Sequence, residues 1–435
     1  MFLKFILYTI LFYILFRLIT TMIRNFSKKN DNEIKSQPKT KKSRYEDIEE
    51  AKYIEVKQED EKKNWCEMSF SSLPIKITNS ILKQFFALQE NQFSQITEVK
   101  KTLLVCSHFN LGDLISSTSL YRAIKEKFPK SDLIVVVNDE SLTQINNHLI
   151  DEFIVIEQKK LLNPIYFFSI LQKVKQEFDL VIVPNIGDNS MLADYIARLS
   201  NSKIRIGTKS LNGKNNQTEF CFDVKINLNI SKHPDANISE RVLEIIRPLG
   251  FDTNDLSTTI FKSDTDLKKA KARLSEIKKN QQTLLIGINV YSEEIANNWN
   301  LNNFVVLIER LNREYQSAFY LFGNDNNESI KFIRKSTKVG FLSIDIKNYS
   351  EIASIISLTD IFITVDSSLM HIAGTTTTPQ ISLFGNTNPF NFAPCGKNKI
   401  FLRKSDLIDD ISADDVFEVC KVLINNESKT IWAEH

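Results

Sequence analysis

The feature that most constrains the fold is an alternation of short apolar runs with amphipathic helical segments, which begins near Lys101 and occurs twice. In the first unit the runs read TLLVCSHF, DLIVVVN, EFIVIE and FDLVIVPN. In the second unit they read TLLIGINV, SAFYLFG, GFLSI, IFITVD and PQISLFG. Such runs predict buried strands, and their alternation with helices indicates parallel sheets covered by helices on both faces.

This pattern predicts two α/β units, at residues 100–265 and 280–425, joined by a charged helical stretch. Ligands of open parallel sheets bind at the carboxyl ends of the strands, so a site is expected in a cleft between the units. Three further segments precede them: a membrane anchor at 1–23, a charged tether at 24–63 and a lead-in helical segment at 64–99.

The N-terminal segment Phe2 to Ile23 carries only Lys4 and Arg17 as charges, and its 22 residues are enough to span a bilayer as a helix. An interfacial helix that lies on the membrane is the alternative. Basic residues follow this segment, which favours a cytoplasmic location for the remainder of the chain. We therefore expect attachment to the inner (cytoplasmic) membrane through residues 2–23.

Charge and cysteine content exclude several classes of protein. The chain has 55 basic and 53 acidic side chains, so its net charge of +2 gives no general reason to bind nucleic acid. Its five cysteines are scattered without a C-x-x-C pair, as in the thiols of a reducing compartment. No G-x-G-x-x-G follows either opening strand, which argues against a Rossmann oxidoreductase.

The first candidate site is Asn110-Leu111-Gly112-Asp113, which follows the strand TLLVCSHF and opens a helix that ends near Pro129. Asp113 is a good helix N-cap, and this structural role is one interpretation. The other is a general base, because a carboxylate at the carboxyl end of a strand faces the cleft and can take a proton from a hydroxyl. The first unit alone does not decide between them.

The second candidate site is Asp366-Ser367-Ser368, followed by His371. Hydroxyls beside the free amides of a helix N-terminus favour an anion such as phosphate, although the serines could simply cap the helix. His371 alone is more often a structural histidine than a ligand contact. A third group consists of the basic residues Lys203, Arg205 and Lys209. They either form a solvated surface or attract an acidic acceptor.

Together these segments resemble glycosyltransferase family 9, the heptosyltransferases that build the lipopolysaccharide core of Gram-negative bacteria. Leu111-Gly112-Asp113 matches the x-x-G-D segment of that family, and Asp366 to His371 matches its D-[ST]-x-x-x-H segment. Leu383 to Pro389 matches L-F-G-x-T-x-P, and Pro394 to Gly396 matches P-x-G. The resemblance covers Lys101 to Ile424.

The resemblance implies a GT-B architecture, in which two Rossmann-like domains face each other across a cleft. It also implies inverting transfer from a nucleotide-sugar donor to a cell-envelope glycan or glycolipid, with neither a bound metal nor another cofactor. The N-terminal domain would bind the acceptor and the C-terminal domain the donor. The implied residues are Asp113 as general base, Asn110 and Gly112 on the acceptor side, and Ser292, Asn297, Asp366, Ser367, Ser368 and His371 on the donor side.

One position departs from the family pattern. The family has a lysine two residues before a tryptophan, where it contacts the donor phosphates; here Trp299 matches, but Asn297 stands in place of the lysine. Glu293 and Glu294 make the same loop acidic, and an asparagine cannot neutralise a diphosphate. The alternative function is therefore a catalytically degenerate scaffold that binds a nucleotide sugar or glycan at the membrane.

Overall fold

The computed structural model of the chain describes residues 83–84, 87–88, 98–145, 147–278, 280 and 283–425. The predicted anchor and tether, and most of the lead-in segment, lie outside these residues. No helix within the described residues is long and apolar enough to cross a membrane. The described residues divide into a small unit, which includes 157–169, and a large unit that holds both sheets. In the small unit, the Glu157 amide donates to the Tyr166 hydroxyl (2.9 Å).

The first sheet has seven strands in the described part of the chain. They are β1 (Lys101–Val105), β2 (Asp132–Val137), β3 (Glu152–Val155), β4 (Glu177–Ile182), β5 (Asn201–Leu211), β6 (Lys214–Asn215) and β7 (Val224–Leu228). Their order is β3-β2-β1-β4-β5-β6, with β7 also beside β5. Only β6 runs antiparallel to its neighbour among these described strands, as a hairpin with β5.

The second sheet has six strands within residues 283–425, all parallel. They are β8 (Leu284–Asn289), β9 (Ser317–Phe322), β10 (Phe341–Ile344), β11 (Ile361–Val365), β12 (Gln380–Leu383) and β13 (Lys399–Leu402). Their order is β10-β9-β8-β11-β12-β13. The predicted parallel α/β architecture is therefore confirmed, whereas the proposed domain boundaries stay predictions.

Helices connect most of the strands. They are α1 (Leu111–Ser116), α2 (Thr118–Lys127), α3 (Pro164–Val174), α4 (Met191–Leu199), α5 (Ile238–Arg241), α6 (Asp264–Leu274), α7 (Leu301–Glu314), α8 (Glu328–Ser336), α9 (Tyr349–Ser357), α10 (Ser368–Gly374), α11 (Pro389–Phe392) and α12 (Ala413–Ile424). Shorter 3-10 turns lie at Glu140–Ile145, Gln158–Leu162, Glu219–Cys221, Ile230–Lys232, Val242–Ile245, Arg247–Leu249, Ile295–Asn297 and Ile408–Asp410.

Each sheet reverses its strand order at one central strand. Strand β1 lies between β2 and β4, with Leu104 paired to Val135 on one side and to Ile182 on the other. Strand β8 lies between β9 and β11 in the same way. Since connections leave such a strand in opposite directions, a crevice opens at its carboxyl end, between β1 and β4 and between β8 and β11. We call these two places the first and second switch points.

Apolar packing joins the two sheets into one large unit. One buried cluster includes Leu104 and Ile124 from the first half together with Tyr320 and Phe362 from the second. A separate cluster on the other face of the second sheet packs Phe304 against neighbouring apolar residues. Because these side chains leave water on folding, each contributes roughly 1.5–3 kcal/mol to the free energy of burial. The core therefore holds the carboxyl ends of the strands in fixed positions.

The basic group predicted near the end of the first unit does not form one surface. Arg205 lies on β5 and is 8% exposed; its guanidinium is 3.2 Å from the carboxylate of Asp223 and donates to the carbonyls of Ala197 and Ser200. Lys203 forms an ion pair with Asp179 at 2.6 Å. The prediction that Arg205 attracts an acidic acceptor is wrong, because its charge is neutralised inside the fold.

Removal of one member of this buried pair should destabilise the chain strongly. We expect Asp223→Ala to lower the free energy of unfolding by about 3–5 kcal/mol, because it leaves the Arg205 guanidinium buried without its counter-charge. Lys203→Ala, which removes an exposed cation from an ion pair, is the control and should change stability little. Urea unfolding of both variants is the measurement, and equal stabilities would contradict this account of Arg205.

Candidate active site

The segment after β1 begins helix α1 with a reciprocal pair of hydrogen bonds. The Asp113 amide donates to Oδ1 of Asn110 (2.9 Å), and the Asn110 amide donates to Oδ2 of Asp113 (3.1 Å). Asn110 is therefore the N-cap, and the prediction that Asp113 opens the helix is wrong by three positions. Two helices, α1 and α2, separated at Ser117, replace the single helix expected before Pro129.

Asp113 keeps part of its carboxylate available. Its Oδ2 accepts the Asn110 amide, while Oδ1 accepts no hydrogen bond from a described residue. Burial raises the pKa of Asp113 to about 6, and the Asn110 amide opposes that shift. Burial raises the thiol pKa of Cys106, the residue after β1, and the nearby Asp113 charge raises it further. The side chain is thus both part of a helix cap and a titratable group near neutral pH.

Gly112 lies directly against the ring of His371. A Cβ atom on residue 112 would be 2.6 Å from His371 Cδ2 and 2.7 Å from Nε2, closer than side chains tolerate. Glycine is thus required for helices α1 and α10 to approach this closely. Burial lowers the pKa of His371 to about 4, so its ring is neutral at physiological pH. This contact joins Gly112, which was predicted for the acceptor side, to His371, which was predicted for the donor side.

Hydrogen bonds from Asn289 join the two strands of the second switch point. Its Nδ2 donates to Ser367 Oγ (2.9 Å), to Thr364 Oγ1 (3.1 Å) and to the Tyr291 carbonyl (3.0 Å). Sequence reasoning missed Asn289, although a polar residue that ends the apolar run LLIGIN was a visible signal. Ser292 lies nearby, where its Oγ donates to the carbonyl of Asp366 at 2.6 Å.

The two serines after β11 have different surroundings. Ser367 is at the N-cap position of α10, but its hydroxyl makes no capping hydrogen bond; it contacts Asn289 and the Val365 carbonyl (3.2 Å) instead. The alternative interpretation, in which the serines simply cap the helix, therefore does not hold for the Ser367 side chain. Ser368 is the first residue of the helix and is half-buried.

Asn297, which replaces the family lysine, points at Asp366. Its Nδ2 donates to Asp366 Oδ2 at 3.2 Å, while its Oδ1 is buried without a hydrogen-bond partner. Burial raises the pKa of Asp366 to about 6, and Glu294 and Glu293 raise it further against a hydrogen bond from Thr387. This loop therefore carries more negative charge than a diphosphate site would favour.

Two neighbouring features of the sequence have structural roles. Trp299 is 1% exposed, and its indole donates to the Ile411 carbonyl (2.7 Å), so it anchors the loop that carries Asn297. Asp264 and Asp266, which have the D-x-D spacing of some metal sites, lie in the first turn of α6, and Ser263 caps that helix. No group of three or more His, Cys, Asp or Glu residues in the described chain could hold a metal ion.

The geometry thus collects the candidates at two strand ends. Asn110, Gly112 and Asp113 follow β1, and Gly112 meets His371 from α10. The remaining candidates, which lie around the second switch point, are Ser292, Asn297, Asp366, Ser367 and Ser368. The Gly112–His371 contact thereby links the strand end that carries a titratable carboxylate to the one that carries hydroxyl and amide side chains, an arrangement suited to transfer between two bound substrates.

Comparison with known proteins identifies the class and then the family. Residues 167–413, more than half of the chain, match the family described as glycosyltransferase family 9 (heptosyltransferase). The chain therefore belongs to glycosyltransferase family 9 and is a glycosyltransferase. It is 24% identical over 301 residues to lipopolysaccharide heptosyltransferase 3 of Escherichia coli, a match that covers 66% of this chain and 85% of the relative.

Solved structures show the same fold. A family 9 glycosyl transferase from Veillonella parvula superposes with a TM-score of 0.65 at 20% identity, over 76% of this chain and 98% of the other. The E. coli ADP-heptose lps heptosyltransferase II gives a TM-score of 0.61 at 18% identity, over 75% and 99% respectively. The expected GT-B architecture is confirmed by these neighbours.

Proposed function

We propose that this chain transfers heptose from an ADP-linked donor to a lipopolysaccharide-type acceptor, with inversion of the anomeric centre and without a bound metal. The observation that carries the proposal is Asp113, a carboxylate with an unengaged oxygen and a pKa of about 6, beside the Gly112–His371 contact. The names of the E. coli relatives, which specify lipopolysaccharide and ADP-heptose, support the choice of substrates.

Asp113 has the properties that a general base for this reaction requires. Near neutral pH it is mainly ionised, yet its raised pKa makes it a better proton acceptor than an ordinary aspartate. It takes the proton of an acceptor hydroxyl as that oxygen bonds to the anomeric carbon of the donor. The bond from that carbon to the diphosphate breaks in the same displacement, so ADP leaves from the opposite face and the configuration inverts.

The second switch point supplies polar groups for the donor. Ser367 and Ser368 offer hydroxyls at the start of α10, and Ser292 and Asn297 lie on the facing loop. Neutral His371 can donate one hydrogen bond to a donor oxygen without adding charge. We assign these side chains to the donor as a group, with Asp366 orienting the loop through its bonds to Ser292 and Asn297.

A second candidate function is a non-catalytic scaffold that binds a nucleotide sugar or glycan. It is favoured by Asn297 in the lysine position and by Glu293 and Glu294, which repel a diphosphate. Under this alternative the chain would bind the donor without releasing ADP.

For either function we propose that residues 2–23 hold the protein at the inner membrane with its two sheets in the cytoplasm, where a lipid-linked acceptor is accessible.

Substitution of Asp113 separates the base from the cap. Asp113→Asn should lower turnover by roughly 10²–10⁴-fold because amides cannot accept the proton, whereas its Oδ1 can still accept the Asn110 amide. Wild-type turnover should fall as the pH drops through about 6, since protonation removes the base. ADP release measured between pH 5 and 8 checks both expectations.

The stability of the same variants is the control. Because the folded-state pKa of Asp113 lies above its ordinary value of 3.8, stability falls as the pH rises from about 3.8 to about 6 and stays at the lower level above that. The melting temperature of Asp113→Asn at pH 8 should therefore equal or exceed that of wild type, while Asp113→Ala loses the cap, worth about 1 kcal/mol. Unchanged turnover together with a lower melting temperature would mean that Asp113 is only a cap.

Restoring the family lysine should strengthen donor binding. We expect Asn297→Lys to bind ADP about tenfold more tightly, since an ammonium adds a charge-assisted hydrogen bond and tenfold corresponds to about 1.4 kcal/mol. Asn302→Lys, which adds the same charge at an exposed position on α7, is the matched control. Calorimetric titration with ADP at low and high salt is the measurement. Equal affinities of the two variants would show that residue 297 does not face the donor phosphates.

A further inference from the structure

Three residues at the first switch point carry buried polar atoms without hydrogen-bond partners. They are Ser107 and His108, which follow β1, and Asn185, which follows β4. The unpartnered atoms are Ser107 Oγ, both ring nitrogens of His108 and Asn185 Oδ1. Ser107 is 6% exposed and Asn185 is 3% exposed. A buried polar atom without a partner destabilises the fold, so the concentration of such atoms at the ends of these two strands suggests a ligand.

The sheet register places these residues side by side. The last β1–β4 pair is Leu104 with Ile182, so Ser107 and Asn185 each follow three residues later, at the same carboxyl end of the two neighbouring strands. Burial lowers the pKa of His108, and the Pro184 carbonyl opposes that shift, so the ring lies near the end of β4. Neither ring nitrogen forms a hydrogen bond. The three side chains therefore border the crevice between β1 and β4.

Asp113 shares this location. Cys106, the residue before Ser107, has a thiol pKa that is raised by burial and further by the Asp113 charge, so the proposed base lies beside the same end of β1. Helix α1, which carries Asp113, starts only four residues after Ser107. A molecule held by the residues of the crevice would thus present its atoms to the Asp113 carboxylate.

The chemistry of the set is uncharged. A serine hydroxyl donates and accepts, and burial lowers the pKa of His108 to about 4, which leaves a neutral ring with one donor and one acceptor. Asn185 Nδ2 donates to Asn189 Oδ1 at 2.6 Å, so its amide oxygen is oriented and free to accept. Sugar hydroxyls both donate and accept, and they fit these groups better than a phosphate or carboxylate would.

Several buried polar groups near the first sheet are fully hydrogen-bonded, although Gln144 Oε1 and Arg241 Nε in the same half also have no partner. Asn147 Nδ2 donates to Thr118 Oγ1 (3.3 Å) and its Oδ1 accepts the Leu149 amide (3.0 Å). Ser119, which is fully buried on α2, donates its hydroxyl to the Ser239 carbonyl at 2.5 Å. What distinguishes the first switch point is concentration, because it holds four of the eight unpartnered buried side-chain atoms in the described part of the chain.

We propose that Ser107, His108 and Asn185 bind hydroxyl groups of the acceptor sugar and orient it towards Asp113. This inference rests on the proposed glycosyl transfer and adds to it the chemistry of the acceptor. The sugar that receives the transferred residue is recognised through uncharged hydroxyls, and Ser107, His108 and Asn185 determine which of its hydroxyls meets the base.

The test compares Ser107→Ala and His108→Phe with the control Ser119→Ala in the full-length chain. The probes are ADP-heptose for the donor site and core oligosaccharides from truncated lipopolysaccharides, with and without their phosphate groups, for the acceptor site. Binding of each probe is measured by saturation-transfer NMR and titration. Transfer kinetics are recorded with the oligosaccharide that binds most tightly.

Ser107→Ala and His108→Phe should weaken oligosaccharide binding and raise the acceptor KM at least tenfold. The donor KM should stay within twofold of the wild-type value, and the melting temperature should not fall. Removing a polar atom that has no partner is neutral or stabilising. Ser119→Ala loses a satisfied hydrogen bond, so it should lower the melting temperature without changing oligosaccharide binding or the acceptor KM. Removal of the phosphates should not weaken binding to the wild-type chain.

Two failures can be told apart. If the wild-type chain does not bind ADP-heptose, the proposed donor and with it the proposed function fail. If ADP-heptose binds but Ser107→Ala and His108→Phe bind oligosaccharide like Ser119→Ala, the inference is overturned and ordered water fills the crevice. Oligosaccharide binding that requires the phosphates, or no oligosaccharide binding by the wild-type chain, would overturn it as well.

Discussion

The close approach of Gly112 to the ring of His371 is the constraint on which the candidate site depends. With a Cβ position only 2.6 Å from the ring, the backbone of helix α1 in the first half lies directly against the His371 side chain of helix α10 in the second. Loops reinforce the junction, since Asn391 Nδ2 donates to the Pro234 carbonyl (2.7 Å) and Asn237 Nδ2 to the Ala393 carbonyl (2.9 Å). The residues after β1 and β11 are thereby held close enough to serve two substrates at once.

Two carboxylates near this junction have similar pKa values but different surroundings. Burial raises the pKa of both Asp113 and Asp366 to about 6. Asp113 keeps an oxygen free at the acceptor side, whereas Asp366 is bonded by Asn297 and lies in the field of Glu293 and Glu294. The surroundings of Asp113 suit proton transfer. Those of Asp366 fix the loop that carries Asn297, but they make the proposed donor site more negatively charged.

The strands were predictable from sequence where they are apolar, and less so where they carry charge. Strand β5 was overlooked because its charged residues, above all Arg205, suggested a solvated surface. Only the fold shows that Asp223 compensates this charge within the first sheet. The four cysteines in the described residues are free, as their spacing indicated.

The candidate site was predictable in part. Motif spacing located Asp113 and His371 but could not show that Asn110 caps the helix or that Gly112 contacts the histidine. Asn289 and Asn185 were not identified, because their importance lies in hydrogen bonds made or left unmade across neighbouring strands. Such pairings depend on strand order, which a single sequence does not determine.

The most direct test of this account is Gly112→Ala, with Gly340→Ala as the control because an added Cβ there meets nothing within 4 Å. Rates of ADP release and affinities for ADP-heptose would be measured for both variants. The account predicts that Gly112→Ala displaces His371, still binds the donor and loses most of its transfer activity, while Gly340→Ala behaves like wild type. Full transfer by Gly112→Ala would show that the contact between the two halves does not assemble the active site.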